Sequence, residues 1–345
     1  MSLMSRHTPA RVLVTGGAGF IGASFVHYLL GSDPAARVVT LDALTYAGSR
    51  ENLAGLDAGG RHRFVEGDIT DRALVDALLR EHRVDTVVHF AAESHVDRSI
   101  TGPAAFVHTN VVGTFTLLDA ARRLWLDEER RDPSTCRFHH ISTDEVYGSL
   151  RREDAPFHEG TPYAPSSPYS ASKAASDHFV RAYHHTYGLP VTTTNCSNNY
   201  GPLQHPEKLI PTVIRACQRG LPIPVYGDGM NIRDWLYVSD HCRGIDAVIR
   251  RGEVGAVYAL GGDNEWANLD IVRLICGIFD ELRPAAAPHA RLIRFVTDRP
   301  GHDFRYAIDA AKVKRELGWA PVETFETGIR KTIAWYLESA GRSVA

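Results

Sequence analysis

Tyr169 and Lys173 stand four residues apart in Tyr169-Ser-Ala-Ser-Lys173, directly after Ser166-Ser167-Pro168. Ser-Pro is a helix-start signal, so the spacing puts phenol and ammonium on one helix face. A phenol near pKa 10 is a poor base at neutral pH, but a neighbouring ammonium favours phenolate. Such a pair suits removal of a hydroxyl proton while hydride leaves the same carbon. Thr143, at the end of a predicted strand, completes a hydroxyl, Tyr and Lys triad for alcohol oxidation. Asp144 and Glu145 follow it at once in HISTDEVYG (140–148). Simple dehydrogenation needs no such carboxylates, but two in different environments can divide labour, one protonated as acid and one ionised as base. The lysine itself stands out: of 38 basic residues only five are lysines, and only Lys173 and Lys208 precede residue 312. A compact, titratable ammonium is what arginine cannot supply.

These residues need a scaffold, and the patterning predicts one. Residues 11–15 read as a short buried strand, 15–22 (TGGAGFIG) as a glycine turn, and 20–30 as a helix. The segments 37–42, 63–68, 85–92 and 136–142 repeat the short β-branched run, with helix-like stretches at 71–82 and 104–126 between them. Strands alternating with helices imply an α/β doubly wound parallel sheet of Rossmann type. Gly17, Gly19 and Gly22 satisfy G-x-G-x-x-G, and Gly16, Gly19 and Gly22 satisfy G-x-x-G-x-x-G. Without side chains the backbone turns tightly and approaches a pyrophosphate at the helix N-terminus. Asp42 ends the second strand about 20 residues on. Its carboxylate would accept from a ribose 2′-OH and repel a 2′-phosphate, which favours NAD over NADP. A cationic nicotinamide ring would also favour phenolate at Tyr169. Asp68, ending the third strand, reads either as a contact to the adenine or as a surface turn carboxylate.

After about residue 190 Pro and Gly become frequent, and a smaller, loop-rich lobe is expected. The boundaries read as 8–195 for the NAD-binding domain and 196–340 mainly for a substrate-binding lobe interleaved with it, segments near 232–262 rejoining the sheet. The chain of 345 residues is 44% hydrophobic and 23% charged, with a net charge of −3. That balance gives no electrostatic surface for nucleic acid or anionic membrane. No apolar run approaches the length of a membrane span, and MSLMSRHTPA lacks the apolar core of a secretory signal, so a cytoplasmic protein is expected. The five cysteines are widely spaced without a C-x-x-C pair, which speaks against zinc and a disulfide framework. His139-His140 and His184-His185 read as packing or surface residues, and no metal role is expected for any of the 17 histidines.

With TGGAGFIG, AAESHVDRS (91–99), STDEVYG (142–148) and YSASK in order, the chain resembles the extended short-chain dehydrogenase/reductases. Within them it is similar to the dTDP-glucose 4,6-dehydratases. LTYAG (44–48), TNCSNNYGP (194–202), PEKLIP (206–211), IRDWLYV (232–238), DRPGH (298–302) and RYAID (305–309) extend the resemblance over nearly the whole chain. SLRREDAPFHEG (149–160) is its least family-like part. The resemblance implies that Tyr169 removes the sugar 4-OH proton while C4 gives hydride to NAD, with Lys173 tuning Tyr169 and holding the nicotinamide ribose. Glu145 then removes the C5 proton, Asp144 protonates the departing C6 hydroxyl, and hydride returns to C6. The product is a 4-keto-6-deoxy sugar, and the tightly bound cofactor is recycled within each turnover.

The resemblance also implies cofactor contacts at Phe20, Ile21, Leu44, Thr45, Ile69, Phe90, Ala91, Ala92, Thr109 and Asn199. Ser94 and Asn198 are expected at the sugar and phosphates, Lys208 with Leu209 and Arg233 at the diphosphate, and Pro224 and Tyr226 at thymine and deoxyribose. Arg299, His302 and Tyr306 would close around the phosphates, with Asn268 nearby. A homodimer is implied, for which helices 104–126 and 168–187 are long enough to pair across a two-fold axis. Three readings stand at this point. One is a dTDP-glucose dehydratase. Another is a related nucleotide-sugar enzyme, either a 4-epimerase, which has no need of Asp144 and Glu145, or a dehydratase for another nucleotide. The third is a catalytically silent dinucleotide-binding regulator, against which the intact triad counts.

Overall fold

The computed structural model describes residues 7–56, 59–298 and 302–342. Its larger sheet has seven parallel strands: β1 (Arg11–Thr15), β2 (Arg37–Asp42), β3 (His62–Glu66), β4 (Thr86–His89), β5 (Arg137–Thr143), β6 (Val191–Cys196) and, far along the chain, β10 (Val257–Leu260). Their spatial order is β10-β6-β5-β4-β1-β2-β3. The winding reverses between β1 and β4, the position at which open α/β sheets leave a crevice beyond the strand ends. β3 and β4 are shorter than the pattern predicts. The Gly67 N–H still donates to the Asp42 carbonyl, but Asp68 then turns the chain by accepting from the N–H and hydroxyl of Thr70. Beyond His89 the chain crosses the glycine turn as a loop.

Both faces of the sheet are covered by apolar helix faces. On one, Phe25, Val26 and Leu29 of helix Phe20–Ser32 pack with Ile245 and Val248 of helix Val238–Arg251 and with Val313, Leu317 and Trp319. On the other, Val75, Leu78 and Leu79 of helix Arg72–Glu81 pack with Leu117, Leu118, Trp125, Val180 and Tyr183. The predicted helix 104–126 is not one regular helix. It contains wide π-type turns at Val107–Gly113 and Arg123–Glu128 around a regular stretch, Thr114–Arg122. At the first of these the Asn110 carbonyl accepts from the hydroxyls of both Thr114 and Ser176, each at 2.6 Å. Gly113 sits so close to Ile69 that a Cβ there would lie 2.4 Å from its side chain. The local widening puts Thr109 at the cleft.

The smaller lobe has its own core, in which Ile210, Val213 and Ile214 of helix Leu209–Arg219 meet Ile271, Val272 and Ile275 of helix Asn268–Leu282 and Ile329 and Ile333 of helix Phe325–Arg342. Its strands are β7 (Asn198–Tyr200), β9 (Ile232–Tyr237) and β11 (Glu265–Ala267) in one sheet and β8 (Ile223–Tyr226) with β12 (Ile293–Val296) in another. Of the stretch near 232–262, then, only Val257–Leu260 joins the large sheet, beside β6. Ile232–Tyr237 pairs instead with β7 and β11, because the chain has already left the large sheet between Cys196 and Asn198.

Candidate active site

A cleft of about 560 Å³ runs between the lobes along the carboxyl ends of β1, β4, β5 and β6. The glycine turn forms one end. Gly16 is left-handed (φ +69°), and a Cβ on it would lie 2.6 Å from the Ala91 nitrogen. A Cβ on Gly22 would lie 2.3 Å from the Gly16 carbonyl oxygen. The turn, the Phe90–Ala92 loop and the helix therefore touch backbone to backbone. Gly19 caps helix Phe20–Ser32 without any side-chain cap, which leaves the first N–H groups for an anion in the cleft. Asp42 is buried, with Oδ2 accepting from the Ala18 N–H and Oδ1 from the Leu44 N–H, each at 2.9 Å. Burial raises its pKa and these backbone donors oppose the rise. Each oxygen keeps a lone pair for a hydroxyl. Turn, helix end and acceptor fit a dinucleotide.

Gly16, Gly19, Phe20, Ile21, Gly22, Asp42 and Thr45 line this end, as do Asp68, Ile69, Phe90, Ala91, Ala92, Thr109 and Asn199. Leu44 does not. Its backbone is left-handed (φ 49°), which turns the side chain into the core beneath the turn, and only its N–H serves the site, through Asp42.

At the cleft's centre, helix Pro168–Tyr187 starts at a reciprocal cap. The Ser170 N–H donates to the Ser167 hydroxyl at 3.1 Å, and the Ser167 N–H to the Ser170 hydroxyl at 3.0 Å. One turn in, Tyr169 and Lys173 are both buried and both line the cleft. The Lys173 ammonium donates to the Ile141 carbonyl at 2.7 Å. Burial pulls its pKa down, while Asp177 and Cys196 work the other way. Burial pushes the Tyr169 phenol up, as does Glu145, and a hydrogen bond with Thr143 opposes both. Opposite them β5 is buried along its whole length and ends at Thr143, whose hydroxyl accepts from the Glu145 N–H at 3.3 Å and so caps the turn Asp144–Tyr147.

The two carboxylates differ in kind. Asp144 is 2% exposed, and its Oδ2 finds no hydrogen-bond partner among the described residues. Burial first, then the charges of Glu145 and Asp234, holds its pKa well above the usual carboxylate range, which favours its neutral form. Glu145 is only half-buried. A buried carboxyl group with a raised pKa and an accessible carboxylate are thus adjacent, beside the phenol and the lysine.

From the smaller lobe, Lys208 and Leu209 reach the cleft at the start of their helix, the Lys208 ammonium 3.4 Å from the Ser94 carbonyl. Arg233 is 6% exposed. Its guanidinium donates to the carbonyls of Ile232, Asp303 and Phe304 and lies 4.2 Å from the Tyr306 ring centre. Ser94, Asn198, Pro224, Tyr226, Asn268, His302 and Tyr306 also line this end. His302 is held by Asp298 at 2.7 Å. Arg299 lies outside the described residues. The unfamiliar stretch 149–160 is a strap: the Leu150 N–H donates to the Arg305 carbonyl and the Phe157 N–H to that of Ala307. Arg305, paired with Glu265, donates to the Arg151 and Asp154 carbonyls. Leu150 and Phe157 pack on Val146 and Tyr147, bracing the turn that holds both carboxylates.

Sequence reasoning missed a clamp across the cleft mouth. The Arg98 guanidinium lies 3.8 Å from the Tyr46 ring centre and bonds both oxygens of Glu207 at 3.1 Å, while a His205 ring nitrogen lies 3.0 Å from the Tyr46 backbone oxygen. Because that backbone group is a carbonyl, His205 Nε2 is the donor. No local pattern links residues 46, 98 and 207, since their meeting depends on how the lobes dock. Trp235 and Val272 line the cleft and were missed for the same reason.

Comparison with known proteins agrees with this geometry. The family described as GDP-mannose 4,6 dehydratase matches residues 13–332. The dTDP-glucose 4,6-dehydratase of Xanthomonas campestris pv. campestris (strain B100) is 60% identical over 329 residues, covering 94% of this chain and 92% of that protein. The Escherichia coli (strain K12) dTDP-glucose 4,6-dehydratase 1 is 54% identical, covering 95% and 93%. Among solved structures, DesIV, a dTDP-glucose 4,6-dehydratase from Streptomyces venezuelae with NAD and dTDP bound, is 48% identical with a TM-score of 0.87 and covers 96% of this chain and 98% of that one. With the glycine turn, the Tyr and Lys pair and the paired carboxylates all at one cleft, the chain belongs to the dTDP-glucose 4,6-dehydratase family of the extended short-chain dehydrogenase/reductases.

Proposed function

We propose that the protein converts dTDP-glucose to dTDP-4-keto-6-deoxyglucose, as an NAD-dependent carbon-oxygen lyase. NAD, when bound, takes hydride from C4 and returns it at C6. Gly16, Gly19 and Gly22 would hold the pyrophosphate at the helix end, Asp42 the adenosine ribose, and Lys173 the nicotinamide ribose. Tyr169, beside the Lys173 ammonium and Thr143, accepts the proton of the 4-hydroxyl. The resulting ketone acidifies C5–H, and the accessible Glu145 removes that proton. Asp144, whose neutral form is favoured by burial, gives its proton to the departing C6 hydroxyl. Lys208 and Arg233 supply charge to the diphosphate, the latter as a planar fork already held by carbonyls.

The observation that carries this reading is the Asp144 and Glu145 pair, one buried, one accessible, adjacent to a complete oxidation triad. A 4-epimerase needs only the triad. Incubation with dTDP-glucose, with UDP-glucose and GDP-glucose as controls, should give a 4-keto product with the thymidine nucleotide. Equal turnover of the controls would remove the nucleotide assignment, and a 4-epimer with retained C6 hydroxyl would overturn the dehydratase reading.

The same reading includes a homodimer in the cytoplasm. Val107, Val112 and Phe115 on one helical run and Phe179 and Tyr187 on another are exposed, and Phe115 contacts both Phe179 and Tyr183. This continuous apolar face on two long helices suits pairing with a second copy. No helix among the described residues is long and apolar enough to cross a membrane.

A further inference from the structure

One turn beyond Lys173, on the same helix face, lies a carboxylate that the proposed reaction steps do not use. Asp177 is 6% exposed and is bonded from four directions. His140 Nε2 donates to Oδ1 at 3.0 Å. The Ser142 hydroxyl and the Tyr163 hydroxyl each donate to Oδ2 at 2.8 Å, and the Asn195 amide reaches Oδ2 at 3.4 Å. The donors come from β5, β6 and the segment leading into the helix. The same Asn195 amide nitrogen also donates to the Thr143 carbonyl at 3.1 Å. Ser142 precedes Thr143 directly, and the Lys173 ammonium is bonded to the Ile141 carbonyl. Three consecutive residues at the end of β5 are thus tied to two neighbours on one helix turn.

A buried ammonium is costly unless a charge of opposite sign is near. The titratable groups around Lys173 are His89 on β4, His140 on β5, Cys196 on β6, and Tyr169 and Asp177 on its own helix. Burial keeps both imidazoles and the thiol neutral, and burial and Glu145 push the Tyr169 phenol up, which favours its protonated form. Asp177 is the one of these groups that bears negative charge. Burial works against its ionisation, but the hydrogen bonds from His140 and Ser142 and the charge of Lys173 prevail and hold its pKa below the usual range.

We propose that Asp177 is a positioning residue for the reaction: its carboxylate is the buried counter-charge of Lys173 and, through Asn195, the anchor of the Thr143 carbonyl. The proposal rests on the dehydratase reading only for the assignment of Tyr169 and Lys173 as the oxidation pair. Without Asp177 the ammonium would lose its proton at lower pH and Tyr169 would lose the charge that favours its phenolate. The alkaline limb of the pH profile would then move toward neutrality.

Asp177→Asn removes the charge and keeps the shape, and Asp177→Glu keeps the charge. For Asp177→Asn the alkaline limb of kcat for C4 oxidation should fall at a pH lower by about one unit or more. Asp177→Glu should restore the wild-type limb even where its kcat is reduced. A purely structural role would lower activity with the limb unmoved, and that result would overturn the proposal. A direct measurement on the wild-type protein covers the case in which Asp177→Asn does not fold. With only five lysines, carbon-13 labelling at Cε gives resolvable signals, the one lost in Lys173→Met being that of Lys173. It should report an ammonium at pH 7.5, and a neutral amine there would also overturn the proposal. Absence of turnover by the wild-type protein, with the ammonium intact, would count against the dehydratase reading and not against Asp177.

Discussion

The Lys173 ammonium donates its 2.7 Å hydrogen bond to the carbonyl of Ile141, two residues before Thr143 on the neighbouring strand. Helix and strand are therefore fixed in relative register at the point where the Tyr169 phenol meets the Thr143 hydroxyl. Lys173→Met removes the charge and this tie, leaving the carbonyl without its donor. Turnover should fall about 100- to 10,000-fold, the usual range for losing an acid-base group, in single-turnover assays with dTDP-glucose. A loss below tenfold would contradict the role given to the ammonium.

Glu145→Gln separates the steps. The variant should bind the sugar and retain C4 oxidation but lose exchange of the C5 proton with solvent deuterium. Undiminished C5 exchange would remove Glu145 from the role of base.

Asp144 should show the complementary defect and a signed pH dependence. Its pKa is raised by burial, then by Glu145 and Asp234. An acid of this kind donates below its raised pKa and cannot above it. Elimination should thus decline as the pH climbs through that raised value, with Asp144→Asn slow throughout. Elimination that quickens with pH in single-turnover experiments would argue the reverse charge state.

Gly22→Ala tests the turn. With the new methyl 2.3 Å from the Gly16 carbonyl oxygen, the backbones must separate, at about 1–3 kcal/mol for overpacking. The purified variant should carry little NAD and melt lower than wild type. Full cofactor content would mean the turn is looser than its contacts suggest.

The clamp of Arg98 with Tyr46 and Glu207 predicts slow cofactor exchange. Arg98→Ala should speed NAD release, read by filter binding or by cofactor content after dialysis, without altering the pH profile of oxidation. Because the ion pair is largely exposed, only a modest change in melting temperature is expected. Unchanged release would leave cofactor retention to the groove alone.

The large sheet was legible because short β-branched runs mark several of its strands, among them Arg11–Thr15, Arg37–Asp42 and Val191–Cys196. The Tyr169 and Lys173 pair and Gly16, Gly19 and Gly22 were legible because their chemistry is set by spacing within one helix turn or one loop. Leu44 misled, since its left-handed backbone, invisible in residue type, sends the side chain into the core. The π-type turns at Val107–Gly113 escaped because they depend on Ser176, distant in sequence, sharing the Asn110 carbonyl. The pairing of Ile232–Tyr237 with β7 and β11 had no local signal, as any β-rich segment could join either sheet.

The last strand of the large sheet, Val257–Leu260, follows the first half of the smaller lobe in the chain. During synthesis the ribosome therefore delivers a six-stranded sheet whose β6 edge stays bare until some sixty further residues have emerged. Helix Val238–Arg251 must also arrive before Phe25 and Leu29 are covered. Nascent chains stopped near residue 200 would expose both surfaces to neighbours. Any cut between residues 196 and 257 divides the strands of the large sheet between two fragments, so neither piece carries all seven.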